Sequence, residues 1–257
     1  MTLDAQVVRR SLAPMWREVQ AVDQTGSTND DLLAEARAGA ESGLVRVAEL
    51  QTAGRGRLDR TWEAPAGTAL TFSMLLRPPV PTATWGWLPL LVGLGVHDAL
   101  VAGGVDAVLK WPNDVQIGPD RRKAAGILAQ AAGDAVVVGV GLNVVPHDGL
   151  PETGAAIGEQ WAASREDVLI GVLNAIAQRY TDWLDQYGDA DRSGALAAYR
   201  LACVTAGQQV RVTLPGESDA LLGVALDLDD QGRLVVRRDD GEQVIVGAGD
   251  VVHVRPA

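Results

Sequence analysis

Two apolar, β-branched segments, 44–50 and 68–76, are joined by a loop that places Gly54, Arg55, Gly56, Arg57 and Arg60 within seven residues and then reaches Trp62. The flanking segments predict strands of one sheet, and the cations must then gather at that sheet's open end. Glycines let backbone N–H groups approach a ligand, and guanidinium forks match phosphate or carboxylate geometry. A tryptophan directly after such a loop can stack on a nucleobase. A solvated basic turn explains the same residues if the loop stands alone, so the rest of the chain decides between the two readings.

The chain carries a formal charge of -11 and an isoelectric point of about 4.7, against the positive face a nucleic-acid binder needs. In an acidic protein an arginine cluster fits one small anion better than a polyanion. One cysteine, Cys203, excludes an intramolecular disulfide framework and a cysteine-rich zinc site, which points to the cytoplasm. Arg9 and Arg10 are not followed by an apolar segment, so no secretory signal is expected, and the longest apolar run, 88–96, is too short to span a bilayer.

Residues 1–23 predict an N-terminal arm with one short helical or strand segment. Ser27, Thr28 and Asn29, followed by Asp30, Asp31 and an alanine-leucine stretch to Gly39, predict a capped helix whose N-terminus can also bind a polar head group. Residues 88–102 are apolar nearly all round and predict a buried helix, with His97 in a structural role. Pro112 interrupts the block 108–117 at an edge, a bulge or a turn. Lys123 opens a strand that pairs through Gly133 and Asp134 with the β-branched run 135–145. If the segment 136–140 is an exposed edge, it is a candidate dimer contact. Ser164 caps a long helix with a packed stripe from Val168 to Tyr187, and a shorter helix, 194–201, ends near Cys203, a buried thiol. After Gly207, four short strands at 209–214, 220–228, 234–238 and 243–246 predict a small all-β barrel docked on the larger unit.

The blocks Ser27-Thr28-Asn29, Gly54-Arg55-Gly56-Arg57 with Trp62, Lys110-Trp111-Pro112-Asn113-Asp114, Lys123 with Gly126-Ile127-Leu128, and Gly139 with Gly141 and Asn143 resemble, in this order, the motifs of the biotin protein ligase family. That resemblance implies an α+β fold: a mixed-sheet, class II synthetase-like catalytic domain over 1–206, then an SH3-like β-barrel over 207–257. It implies activation of biotin by ATP with Mg²⁺ to biotinyl-5'-AMP, and transfer of biotin to a lysine of a biotin carboxyl carrier domain of an acyl-CoA or pyruvate carboxylase. It assigns Arg57 and Lys123 to catalysis. Ser27, Thr28, Asn29, Gln51, Gly54, Arg55, Gly56, Arg57, Lys123 and Gly126 bind biotin, and Arg57, Arg60, Trp62, Lys110, Asn113, Asp114 and Asn143 bind ATP. No dedicated metal cluster is implied, because magnesium arrives with the nucleotide. The loop 54–60 is expected to order over the reactive adenylate. Regulatory members carry an N-terminal DNA-binding domain; with about 23 residues ahead of the first motif, a ligase that does not bind operator DNA is expected. A lipoate or octanoate ligase of the same superfamily, and a non-catalytic adaptor whose barrel binds a peptide, are the alternatives.

Overall fold

The computed structural model describes residues 3–58, 60–214, 220–247 and 249–253. The turn expected at Pro215 and Gly216, and Asp59 of the arginine loop, lie outside the described residues.

A seven-stranded mixed sheet forms the larger unit. Its strands are β1 (Glu18–Thr25), β2 (Leu44–Gln51), β3 (Ala69–Leu76), β4 (Ala107–Lys110), β5 (Asp114–Ile117), β6 (Arg122–Ala132) and β7 (Ala135–Asn143). Their order is β1-β2-β3-β7-β6-β5-β4, with β1 parallel to β2 and every other neighbouring pair antiparallel. Helix α1 (Ala5–Arg10) precedes β1, and α2 (Thr28–Arg37) covers one face through Leu32, Leu33 and Ala36 against Leu44, Leu75 and Val137. The opposite face is covered by α3 (Leu88–Ala102) and α4 (Arg165–Asp185), with α5 (Ala195–Ala202) beyond them. Strand β3, covered on both sides, is buried at every position, which is why its sequence is apolar except at Thr71 and Ser73.

The N-terminal arm contains both a helix and an eight-residue strand, where one short segment was expected. As an edge strand with half-buried residues, β1 has no clean period-two pattern to betray it. The arm is fastened by Trp16, fully buried, whose Nε1 donates to the Leu173 carbonyl at 2.8 Å. The segment 136–140 is not an edge: β7 lies between β3 and β6, its backbone donors and acceptors are taken on both sides, and a dimer contact through it is ruled out.

A 3-10 turn, Thr82–Trp87, runs directly into α3, so the helical segment is longer than its apolar core. By length and apolarity, 82–102 would pass for a membrane span, but it is a core helix. Gly95 explains its fit: a methyl there would stand 2.6 Å from Ile176 Cγ1 and 2.7 Å from Ile176 Cα and N on α4. Gly95→Ala must push two packed helices apart, and a loss of about 1–3 kcal/mol is expected, read as a lowered Tm. An unchanged Tm would show that the helices slide freely.

The C-terminal unit is a five-stranded antiparallel sheet of β8 (Gln209–Thr213), β9 (Leu221–Leu228), β10 (Leu234–Arg237), β11 (Gln243–Val246) and β12 (Asp250–His253), in the order β11-β10-β9-β8-β12. The four expected strands are present, three with one end moved by a residue and 243–246 unchanged, and β12 is an addition. The unit docks as expected: Trp87 Nε1 donates to Asp230 O at 2.7 Å, and Trp111 Nε1 to Gly232 O at 3.0 Å. Both indoles are buried and each donates to a carbonyl of the small sheet's turn, so apolar burial and a hydrogen bond act together.

Candidate active site

The proline-interrupted block folds as the β4–β5 hairpin, with a cis Trp111–Pro112 bond in the turn. That turn sets Asn113 and Asp114 beside β6, where Asp114 is the register partner of Gly126. Asn113 Nδ2 donates to Ile127 O at 3.0 Å while Ile127 N donates to Asn113 O at 2.9 Å, which clamps hairpin to strand. Three further pieces complete a cavity: the N-terminus of α2, the loop after β2, and the start of β6 over the glycines of β7. Its lining includes Ser27, Thr28, Asn29, Gln51, Arg55, Gly56, Arg57, Arg60, Trp62, Asn113, Asp114, Lys123, Gly126, Gly139, Gly141 and Asp250.

The arginine loop folds back on itself. Gly56 N donates to Arg60 O at 2.6 Å and Trp62 N to Gly54 O at 2.9 Å, with Leu58 in the left-handed region at φ 53°. Arg55 pairs with Asp30 at 3.1 Å in an exposed position, a contact worth little by itself. Arg57 donates to Gly249 O at 3.2 Å, and Arg60 reaches Asp250 Oδ1 at 3.3 Å while also pairing with Oδ2. Burial lowers the Arg57 pKa from its ordinary value, opposed by the nearby Asp114 and Asp250 carboxylates, whereas the hydrogen bond to Asp250 raises that of Arg60. Both guanidinium groups stay charged, so the cavity holds fixed positive charge under partial desolvation.

Lys123 Nζ lies 2.6 Å from Asp114 Oδ1 and 6.0 Å from the centre of the Trp62 ring. The ion pair is close, but that oxygen has no hydrogen bond of good geometry; Trp62 Nε1 is likewise buried without a partner. Two unsatisfied buried polar atoms on residues that line one cavity fit an incoming polar ligand.

The two glycines of β7 are seats for side chains. A methyl at Gly139 would stand 2.2 Å from Asn29 Oδ1, and one at Gly141 would stand 2.3 Å from Trp62 Cε2. Asn29 and Trp62 therefore reach the sheet only because these positions carry no Cβ.

Three of the sixteen expected residues are not brought to the cavity. Gly54 faces Trp62 instead, since a methyl there would meet the Trp62 carbonyl oxygen at 2.3 Å. Lys110, at the end of β4, turns toward the small sheet: burial, and then the Lys110 charge, hold the His253 imidazole below its ordinary pKa. Asn143 is buried and its Nδ2 donates to Ala155 O at 3.2 Å, fastening the chain beyond the cavity. Conversely, Asp250 enters the cavity without having been expected. It comes from the small sheet, and no local signal marks it. Ser73 and Gln130, which hold Thr28 and Asn29 from below, were also missed. A serine inside the largely apolar 69–76 segment is a legible sign, because a buried polar group requires a partner.

A cation-lined cavity at the mouth of a mixed sheet, closed partly by a small all-β unit, defines a ligase of the biotin and lipoate class. Residues 21–143 match the family described as the Biotin/lipoate A/B protein ligase family, and residues 205–254 match the Biotin protein ligase C terminal domain. The chain is 43% identical to the biotin--[acetyl-CoA-carboxylase] ligase of Mycobacterium tuberculosis over 93% of this chain and 90% of that protein. It is 31% identical to the bifunctional ligase/repressor BirA of Bacillus subtilis over 88% of this chain and 71% of that protein. Its fold superposes on the biotin protein ligase from Aquifex aeolicus in complex with biotin and ATP with a TM-score of 0.74 at 25% identity, covering 91% of this chain and 97% of that one. The chain belongs to the biotin protein ligase family.

Proposed function

We propose that this chain activates biotin with ATP to biotinyl-5'-AMP and passes the biotinyl group to a lysine of a biotin carboxyl carrier domain. One observation carries the reading: Lys123, Arg57 and Arg60 converge on one cavity that also holds the Thr28 and Gln51 polar groups and the Trp62 ring. In the first step a biotin carboxylate oxygen attacks the α-phosphorus, an acyl–phosphate bond forms, and the bond to the β-phosphate oxygen breaks to release pyrophosphate. Both reactants are anions, so the cations must offset their repulsion and the charge that develops on the transferring phosphorus. In the second step the neutral carrier amine attacks the acyl carbon, AMP leaves with the electron pair of the broken acyl–oxygen bond, and the nitrogen gives up one proton to solvent.

Thr28, Gln51 and the α2 N-terminus take the biotin head, Arg57 and Lys123 the carboxylate and α-phosphate, and Trp62 the base. Asp114 and Asp250 are the lining carboxylates suited to share a nucleotide-borne Mg²⁺, which needs only one or two such ligands. That ion would neutralise phosphate charge. Among the described residues no cluster of three or more metal-ligating side chains occurs. The loop 54–60 shields the adenylate from water, a reading supported by Arg55, Gly56, Arg57, Leu58 and Arg60 in the cavity lining. A boundary near 206/207 separates the two units, supported by their separate sheets. The single cysteine, Cys203, buried and free, suits the cytoplasm, and the acidic balance suits a ligase without operator binding.

The test is exchange of labelled pyrophosphate into ATP. Exchange that requires biotin and magnesium and ignores lipoate is expected; exchange driven by lipoate would reassign the substrate, and none with either acid would refute adenylate formation.

A further inference from the structure

Five side chains run from the head of the cavity into the sheet: Gln51, Thr28, Ser73, Asn29 and Gln130. Their proton directions are fixed by the chain's own chemistry. The Thr28 backbone N–H can only donate, and it meets Gln51 at 2.8 Å, so the amide oxygen of Gln51 faces the helix. The Gln51 Nε2 therefore points away, and it has no protein partner among the described residues. At the other end, the Leu128 carbonyl can only accept, and it meets Asn29 at 3.2 Å, so Asn29 directs its amide nitrogen there and to Gln130 Oε1 at 2.7 Å. Asn29 Oδ1 then faces Ser73 Oγ at 2.6 Å.

An amide oxygen cannot donate, so the one hydroxyl proton of Ser73 belongs to that bond. Ser73 Oγ also lies 2.7 Å from Thr28 Oγ, and with no second proton it can only accept there. Thr28 is the donor. Its other close neighbour, Gln51 Oε1 at 3.0 Å, is an acceptor too. The Thr28 proton is therefore held inside the protein, and the cavity sees only its lone pairs.

We propose that Ser73, which is fully buried and does not line the cavity, is the positioning residue that sets the polarity of the cavity head. By taking the Thr28 proton, it makes Thr28 an acceptor beside the Gln51 Nε2 donor, a pair that matches an N–H next to a C=O in a cyclic urea. A ring with oxygen in place of that N–H puts lone pair against lone pair and is rejected. This rests on the biotin reading and deepens it, because it assigns the choice of head group to a residue the ligand does not touch.

The test compares binding of biotin with binding of its two carbamate regioisomers, in which one or the other ureido N–H is replaced by oxygen, by titration calorimetry. Wild type is expected to bind biotin at least about tenfold more tightly than the isomer whose ring oxygen falls against Thr28, the size of one buried unsatisfied group. In Ser73→Ala the Thr28 hydroxyl keeps only its longer contact, to Gln51 Oε1 at 3.0 Å, and can trade it for a ligand lone pair, so that ratio falls about twofold or more, while KM for biotin rises more than kcat falls. Loss of packing alone would weaken both ligands alike and leave the ratio untouched, and an untouched ratio overturns the proposal. Ser73→Cys keeps the volume and a weak donor, and an intermediate ratio is expected; it carries the comparison if Ser73→Ala does not fold. Wild type that binds neither biotin nor either carbamate would refute the biotin reading itself, an outcome distinct from biotin binding with an unchanged ratio.

Discussion

Lys123→Ala is expected to leave a folded protein whose biotin-dependent pyrophosphate exchange is lower by roughly 10²–10³-fold, the size of the loss when one preorganised charge-stabilising group is removed. Both backbone groups of Lys123 are held by the segment 153–155, with its N donating to Thr153 O at 2.8 Å and its O accepting from Ala155 N at 2.9 Å. The side chain needs no search to reach the cavity, where Asp114 Oδ1 receives it at 2.6 Å. That pairing keeps the ammonium in place for an anion without neutralising the cavity, because Arg57 and Arg60 remain. Deleting the side chain removes a cation from the point where carboxylate and phosphate must meet. Stability should fall little, by no more than about 1 kcal/mol, since Lys123 is 35% exposed and its ion pair is partly screened. Lys123→Arg is not expected to restore the rate, because a broad, planar guanidinium cannot take the place of the compact ammonium that Asp114 Oδ1 meets at 2.6 Å. The measurement is exchange rate beside Tm. A rate within threefold of wild type in Lys123→Ala would remove the lysine from the first half-reaction.

What could be read in advance follows from how each feature is encoded. The cavity lining is carried mostly by short contiguous blocks at strand ends and at one helix start, where residue type, turn chemistry and location all point the same way. Thr28, Gln51, Arg57, Lys123 and Asp114 were legible for that reason. Glycines were legible as important but not as to why: Gly54 makes room for the Trp62 backbone, and Gly139 for the Asn29 amide. Lys110 and Asn143 sit in the right blocks but outside the cavity: the Lys110 charge acts on His253 of the small sheet, and Asn143 is spent on the Ala155 carbonyl. Asp250 was beyond reach, as it meets Arg60 from 190 residues further along the chain. The fold divides likewise. Helices α2 and α4 announce themselves with Ser27 and Ser164 caps, whereas β1, an edge strand held by one neighbour, shows no periodicity of its own.

Gly141→Ala is expected to lower pyrophosphate exchange by about tenfold or more while the sheet stays intact, through the seat of Trp62 alone. The new methyl would stand 2.3, 2.6 and 2.7 Å from Trp62 Cε2, Cζ2 and Cδ2, closer than any contact tolerates. Something must give, and β7 cannot, because Gly141 is paired with Thr71 on one side and Gly126 on the other. The indole belongs to a loop that holds itself by a few hydrogen bonds, so the ring leaves and the nucleotide loses its stacking surface, worth about 1–3 kcal/mol per base. The loss should fall on KM for ATP and leave affinity for biotin close to wild type. A second comparison makes the cause explicit. In a Trp62→Ala background Gly141→Ala should add almost nothing, since the clash partner is gone, and the two substitutions together should cost much less than their separate effects combined. Additive effects in that cycle would mean that Gly141 serves the nucleotide directly, by letting the backbone of β7 approach it, and that the seat for the indole is incidental.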